Sequence, residues 1–194
     1  ASAVKSLISK IHKNSLNGIE RALLPSDLSG KKLLHLQCHF GQDSISLAQL
    51  GAEVTAVDFS DVSIREARKL AADCEIEMEF ICCNIYDLKE HLKGEYDIIF
   101  TSYGVLGWLE DLRSYSEIVS HFLKPGGIYM LVEFHPVIWM FDDEMNLKYP
   151  YSKSKPIIEK ESETYTGDSL ESEIKTISWN HSMSEVMGSL ISQG

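Results

Sequence analysis

The chain has no apolar run of about 18 residues, the length a membrane-spanning helix needs, and no basic segment leading into an apolar stretch of the kind that opens a signal peptide. Neither a membrane span nor a secretory leader is expected, and the cytoplasm is the expected compartment. Basic side chains are few. There are 18 Lys and Arg against 29 Asp and Glu, a formal charge of −11, and no Lys/Arg stripe with interleaved aromatics interrupts the acidic surface. A nucleic acid would be repelled over most of it, so DNA and RNA are not expected partners. Cysteine is sparse too: Cys38, Cys74 and the adjacent pair Cys82 and Cys83 contain no C-x-x-C, and neighbours on a strand point to opposite faces. Neither a metal site nor a redox pair is expected, and the thiols read as reduced structural groups.

What is present is enough for one core. A chain of 194 residues with 44% hydrophobic content can bury a single substantial core and leaves little for a second, so residues 1–194 read as one domain. Its most informative stretch runs from Lys32 to Ser60, KLLHLQCHFGQDSISLAQLGAEVTAVDFS. The apolar run Leu33 to Leu36 reads as a strand feeding a turn that ends in Gly41. Gln42 to Leu50 carries Ile45, Leu47, Ala48 and Leu50 and stops at Gly51, an amphipathic helix with a C-terminal stop signal. A second apolar run, Val54 to Val57, ends at Asp58. A βαβ unit in this order serves a nucleoside ligand. Its turn presents backbone N–H groups and a helix N-terminus, and a carboxylate about 20 residues later accepts hydrogen bonds from the ribose hydroxyls. A pyrophosphate would need the glycine-lined approach of G-x-G-x-x-G. The turn offers Gln37, Cys38, His39, Phe40 and a single Gly41, which disfavours nicotinamide and flavin dinucleotides.

The pattern resembles the first motif of the class I S-adenosylmethionine-dependent methyltransferases, and more narrowly a subfamily whose cofactor loop is spelled LQCH-x-G. In the wider family the motif reads hydrophobic-Asp/Glu-hydrophobic-Gly-Cys-Gly-x-Gly; here His35 stands for the acid, and Gln37 and His39 stand for two of three glycines. The resemblance extends over nearly the whole chain from Lys31 onward. Phe80 to Asn84 resembles the third strand, YDIIFT from Tyr96 to Thr101 the fourth, and the KPGG turn at Lys124 to Gly127 with IYMLVEFHP the fifth. The resemblance implies a Rossmann-like, doubly wound, mostly parallel sheet with flanking helices. It also implies S-adenosylmethionine as cofactor, no metal, and contacts from Gln37, His39 and Gly41 in the turn, Asp58 and Phe59 at the ribose, Asn84 and Ile85 at the adenine, and Ser102 below the methionine part. The Asn-Pro-Pro-Tyr type of loop found in amino-methylating enzymes of DNA and protein is absent, the fourth-strand loop being Ser102-Tyr103-Gly104-Val105. A small-molecule acceptor is the remaining expectation.

Within the domain, residues 1–30 read as an N-terminal helix and entry loop, 31–141 as the cofactor-binding core, 142–178 as an insertion over the substrate side, and 179–194 as a C-terminal helix. Val4, Leu7, Ile8 and Ile11 recur at helical spacing over residues 3–13. In the family such a helix caps the cofactor, although no aromatic residue precedes Phe40 here, and packing at the domain edge is the plainer role. The insertion either shapes the acceptor pocket or is a solvated hairpin. Ser60 is placed to cap a helix carrying Ile64, Ala67 and Leu70, and Leu112 to Phe122 repeats at helical spacing. The sequence given stops where the family continues into antiparallel sixth and seventh strands. The C-terminal antiparallel strands are therefore expected to be missing, leaving a strand edge that invites a homodimer.

Methyl transfer from a sulfonium needs the acceptor held in line, and a general base only where the acceptor must first lose a proton. His135, after Glu133 and Phe134, is the first catalytic candidate and His181 the second; a structural, hydrogen-bonded histidine is the alternative for each. His39 either touches the cofactor or fills the volume glycines would leave, and His35 is expected to orient the turn. Two other classes stay open: a non-catalytic protein that retains S-adenosylmethionine or its demethylated product, and a nicotinamide oxidoreductase.

Overall fold

In β1 (Lys32–Leu36) and β2 (Glu53–Asp58) only the first residue is exposed, and every later one is buried. A strand buried without alternation has both faces covered, the mark of a parallel sheet lying between helices. The computed structural model, which describes residues 14–152, 154–163 and 169–194, has that sheet. The helix expected over residues 3–13 lies outside the described residues.

The sheet contains β1, β2, β3 (Glu79–Cys82), β4 (Tyr96–Ser102) and β5 (Leu123–Val132) in the order β3-β2-β1-β4-β5, all neighbours parallel. From β1 the chain builds outward through β2 and β3, then returns to the other side of β1. The switch point therefore falls between β1 and β4, where a doubly wound sheet opens a crevice at the carboxyl ends of its strands. Leu33, Val54, Ile98, Phe100, Met130 and Val132 form one core cluster with Leu47 of α2 (Gln42–Gln49) and with Leu16, Leu24 and Leu28 from the chain before β1. A second cluster joins Ile45, Ala56 and Phe80 to Ile64, Ala67 and Leu70 of α3 (Asp61–Asp73). As expected, Ser60 caps α3, its Oγ accepting from Ser63 N at 3.2 Å. A short helix not anticipated from the sequence, α1 (Gly18–Leu23), precedes β1.

Two boundaries differ from expectation. The third strand ends at Cys82 rather than Asn84, because Asn84 Oδ1 accepts from Tyr86 N at 3.1 Å and turns the chain into a 3-10 turn, Ile85–Asp87. Local side-chain bonding of this kind competes with the strand ladder. After it come α4 (Leu88–His91), then β4 and α5 (Leu112–Phe122). The KPGG segment is a bulge inside β5 rather than a turn before it. Tyr96 pairs with Leu123 and Ile98 with Ile128, and Gly126 has φ +76°. Asp97 anchors this end, accepting from Lys124 Nζ and from Lys32 N, both at 2.9 Å. Among the described residues this sheet has no antiparallel member, and no helix is long and apolar enough to cross a membrane.

The chain divides into two compact units. The first holds the sheet, up to Tyr103 and from Glu117 to Val132; the second holds Gly104–Ser116 and Glu133–Gly194. In the second unit β6 (Ile157–Glu163) and β7 (Ser169–Ser178) form an antiparallel hairpin with a sheet of its own, followed by α6 (Met183–Ile191). The segment before α6 is tied down through its backbone and side chains. Trp179 N donates to Gly107 O at 2.8 Å, Asn180 Nδ2 donates to Trp139 O and Pro150 O at 2.8 Å each, and Ser182 caps α6.

Glu133, just past β5, gathers four backbone donors. Its Oε1 accepts from Gly104 N at 2.6 Å and Phe134 N at 2.7 Å, and its Oε2 accepts from Val105 N at 2.7 Å and Leu106 N at 3.2 Å. Bonds to an ionised acceptor are the strong class. Glu133→Ala is expected to cost about 2 kcal/mol of stability and to speed hydrogen exchange at the amides of Gly104 and Val105 while leaving those of β1 protected. Unchanged exchange at 104–106 would remove this role.

Candidate functional site

The turn after β1 keeps the shape of a glycine loop without its glycines. Gln37, His39 and Gly41 have φ of +57°, +51° and +71°, so the two positions where this chain replaces a glycine of the motif still hold the left-handed conformation. A side chain there costs roughly 1–2 kcal/mol, and surrounding bonds must impose it. Cys38 N donates to Val57 O and Gly41 N to Cys38 O, both at 2.9 Å. His39 N donates to Asp58 Oδ2 at 2.8 Å, and Ser60 N donates to Asp58 Oδ1 at 2.9 Å. Cys83 N donates to the backbone carbonyl of Asp58 at 3.1 Å, so the ends of β1, β2 and β3 are knotted at one residue, two of the bonds falling on its carboxylate and the third on its carbonyl. Gly41 is pinned by contact as well: a Cβ there would stand 3.0 Å from Ala67 Cβ and 3.2 Å from Phe80 Cε1.

Beneath the turn lies His35, 2% exposed. Its Nδ1 is 2.7 Å from Ser44 Oγ in the first turn of α2, and its ring tilts against Phe100 at 4.9 Å. This matches the expected orienting role, since a bond from β1 to α2 spans the base of the turn. Burial pushes its pKa from 6.5 down to about 4, against the pull of Asp43 and Asp58, so it is neutral near pH 7. Burial likewise lowers the pKa of His39, with Asp58 pulling the other way, and its ring lies 3.7 Å from that of Phe40. The Cys38 thiol is buried and its pKa is raised, which leaves it inert.

Of the other expected contacts, Asp58 is 7% exposed while Phe59 beside it is 75% exposed, a carboxylate and an open ring side by side. Asn84 is exposed and spends its Oδ1 on Tyr86 N, leaving Nδ2 to donate; Ile85 is buried. Ser102 Oγ, at the end of β4, donates to Asp43 Oδ2 at 3.2 Å. The first unit thus brings the turn, Asp58, Phe59 and Ser102 to the carboxyl ends of the strands. His135 and His181 belong to the second unit. His135 is exposed and its Nδ1 accepts from Val137 N at 3.3 Å. His181 is 5% exposed, with Nε2 2.7 Å from Leu109 O and Nδ1 3.1 Å from Glu185 Oε1 without the alignment of a hydrogen bond.

Two residues escaped sequence reasoning. Asp43, in the first turn of α2, accepts from Ser15 Oγ at 2.6 Å as well as from Ser102. Glu20 of α1 is 0% exposed, and neither of its oxygens has a hydrogen-bond partner. The signal for Glu20 was its spacing: Leu16, Glu20 and Leu24 recur every fourth residue, the period of one helix face.

The residues present fit a cationic nucleoside and not a dinucleotide. Each oxygen of Asp58 accepts one N–H, and a carboxylate has about four acceptor directions, so two hydroxyls can still be bound. Asp43 and Asp58 stand where a pyrophosphate would require donors and positive charge. Buried polar atoms without partners, His35 Nε2 and Gln37 Oε1, mark the same turn. Among the described residues no group of His, Cys, Asp and Glu is arranged to hold a metal ion.

Two outcomes follow. Between about pH 6.5 and pH 4 the folded chain, with His35 depressed, binds fewer protons than the unfolded chain, so His35 makes stability fall as pH falls across that window. His35→Gln is expected to flatten this part of the profile in urea titrations at successive pH values; an unchanged slope would count against a neutral buried imidazole. Gly41→Ala is expected to lose at least about 1–2 kcal/mol for the left-handed backbone, read as a lower unfolding midpoint.

Comparison with known proteins agrees with this geometry. A family model described as a methyltransferase domain matches residues 33–127, from β1 to the β5 bulge. The chain is 30% identical over 104 residues to a ubiquinone biosynthesis O-methyltransferase of Bordetella avium, covering 54% of this chain and 43% of that protein. It thus spans less than half the length of that curated relative. A crystal structure of an S-adenosylmethionine-dependent methyltransferase from Mesorhizobium loti superposes with TM-score 0.63 at 20% identity, over 91% of this chain and 78% of that one, a likeness of fold. PKMT2 from Rickettsia typhi, solved in complex with AdoHcy, superposes with TM-score 0.50 at 27% identity, over 57% of this chain and 22% of that one. With a methyltransferase model laid over the very turn and strands that form the site, and the same sheet in solved enzymes of that kind, the chain belongs to the class I S-adenosylmethionine-dependent methyltransferase superfamily.

Proposed function

We propose that the chain binds S-adenosylmethionine at the crevice of its parallel sheet and directs methyl transfer to a small-molecule acceptor. The carrying observation is the Asp58 knot: a buried carboxylate with acceptor capacity to spare, bonded to a turn held in glycine-like conformation. The formal charge of −11 disfavours a nucleic acid acceptor, and relatives named as O-methyltransferases of ubiquinone biosynthesis support a small molecule.

The bound cofactor supplies a methyl group on a sulfonium already activated by its charge. The chain's own residues bind and orient. Asp58 takes the ribose hydroxyls, Phe59 and Ile85 offer apolar surface to the base, Asn84 offers its Nδ2, and the turn from Gln37 to Gly41 sets the approach. Holding donor and acceptor in register can account for about 7 to 11 kcal/mol of barrier. His135 is our candidate base: with Nδ1 engaged by Val137 N, Nε2 remains to take a proton, a contribution of about 10²- to 10⁴-fold where the acceptor must ionise. His181 is assigned a structural part, because its ring is buried against Leu109 O.

Calorimetric titration with S-adenosylmethionine, S-adenosylhomocysteine and NAD in parallel tests the cofactor. Binding of the two sulfur nucleosides and not of NAD is expected, and NAD binding would overturn the reading. Asp58→Ala should weaken the nucleosides by about 10- to 100-fold, the worth of charge-assisted hydrogen bonds; an unchanged Kd removes the ribose assignment. His135→Ala should lower turnover with cofactor affinity intact, and wild-type turnover would dismiss it as base.

A further inference from the structure

The second unit carries a basic island in an acidic chain. Residues 148–160, KYPYSKSKPIIEK, hold four of the chain's 18 basic side chains and a single acid, Glu159. A stretch so rich in lysine, serine and proline has little of its own to order it. It is fastened from outside instead. Lys148 N and Tyr149 N donate to Met140 O at 2.9 and 3.0 Å, Asn180 Nδ2 donates to Pro150 O at 2.8 Å, and Met183 N donates to Tyr151 Oη at 3.0 Å. From Ile157 onward the chain is β6, paired along its length with β7.

Between the 148–150 segment and the start of β6 lies a cavity of about 470 Å³, whose lining includes Lys148, Tyr149, Pro150, Lys155, Pro156 and Glu159. That is the size of a small-molecule pocket. Tyr149 is half-buried and held at both ends, its backbone at Met140 and its hydroxyl donating to Glu159 Oε1. Lys148 Nζ stands 4.8 Å from the centre of the same ring and 3.2 Å from Glu159 Oε1. Glu159 thus answers Lys148, while among the described residues no ion pair reaches Lys155. The acids just upstream, Asp142, Asp143 and Glu144, do not line the cavity, and Asp142 Oδ1 is engaged within its own turn by the amides of Glu144 and Asn146 at 3.1 and 2.8 Å. Lys148 and Lys155 against Glu159 leave one positive charge over, beside an aromatic face and two prolines.

We infer that this cavity is a binding site for a small organic carboxylate, with the anionic group at Lys155 and Lys148 and the apolar body against Tyr149, Pro150 and Pro156. An ammonium is a compact point charge with three donors, suited to a carboxylate without demanding a single bidentate geometry. The prolines and the anchored ring offer flat apolar surface that has little rotamer freedom left to lose on binding. The formal charge of −11 repels an anion over most of the chain's surface, so an anionic ligand needs a local reversal of sign to approach. A neutral molecule of the same shape leaves Lys155 unanswered, and a bare carboxylate leaves the ring and prolines uncovered. The site is built from the second unit alone and does not depend on the cofactor reading, which concerns the first.

The test is titration of the whole ¹⁵N-labelled chain with benzoate, with its neutral counterpart benzamide and with acetate, followed through the backbone amides by NMR. Benzoate should shift the amides of Tyr149, Tyr151, Lys155 and Ile158 along one saturable curve, and added salt should weaken it. Benzamide and acetate should each need several times the concentration to reach the same shifts. Lys155→Gln, at an exposed side chain, should raise the benzoate Kd about threefold, the worth of an exposed ion pair, and leave the response to benzamide and the rest of the spectrum as they were. Benzamide saturating the same amides at the same concentration overturns the assignment in favour of a merely apolar groove, and acetate doing so overturns the part given to Tyr149 and the prolines. Shifts that never saturate, or a benzoate Kd unchanged in Lys155→Gln, overturn the site itself.

Discussion

The Asp58 carboxylate holds the first unit's site together. It receives the backbone of the turn after β1 through His39 and that of the α3 cap through Ser60, and its own carbonyl receives the chain leaving β3. Three residues of the turn remain left-handed under these bonds, two of them with side chains that make the conformation unfavourable. The geometry of a glycine loop is thus imposed from outside by a carboxylate, a strand carbonyl and the close contact of Gly41 with α3 and β3. The acid that knots the turn is also the one assigned to the ribose. Loss of that side chain would therefore disturb the turn and the nucleoside together, which couples binding to local order.

Charge explains why such a turn suits one ligand class. The first turn of α2 carries Asp43, and Asp58 and Glu20 stand in the same unit without basic partners among the described residues. A helix N-terminus normally favours an anion, and here its carboxylate is already part of the chain. The site accordingly asks for a ligand with hydroxyls and positive charge. The imidazole of His35 beneath it stays neutral, so it adds no cation to offset the acids and serves as a hydrogen-bonded spacer between β1 and α2.

Much of the fold was legible because the signals were local or periodic. The largely apolar runs of β1 and β2, the stop at Gly51 and the cap at Ser60 each act within a few residues, and the structure has them where the sequence put them. The misplaced boundaries came from equally local but finer chemistry. Asn84 turns its side chain onto Tyr86 N and ends β3 early, and Asp97 fastens Lys124 so that KPGG bulges within β5. That Gln37, His39, Gly41, Asp58 and Ser102 gather at one edge of the sheet was readable from order along the chain, since strand ends in a parallel sheet converge there. Asp43 was not readable, because nothing in its neighbours shows that Ser15 and Ser102 will meet it.

What the sequence by itself determined is the parallel sheet, its turn and the acid at the end of β2, because hydrophobic runs, helix stops and strand-end residues need only their near neighbours to act. The tertiary structure decided the sign of φ at Gln37 and His39, which follows from bonds to β2, and the face that α1 turns inward. Pattern alone would bury Ile19 and Leu23 and leave Glu20 in water. Only the anchoring of Ser15 and Asn17 to residues 28 to 86 positions further along, Asp43, Ser46 and Tyr103, puts the carboxylate inside.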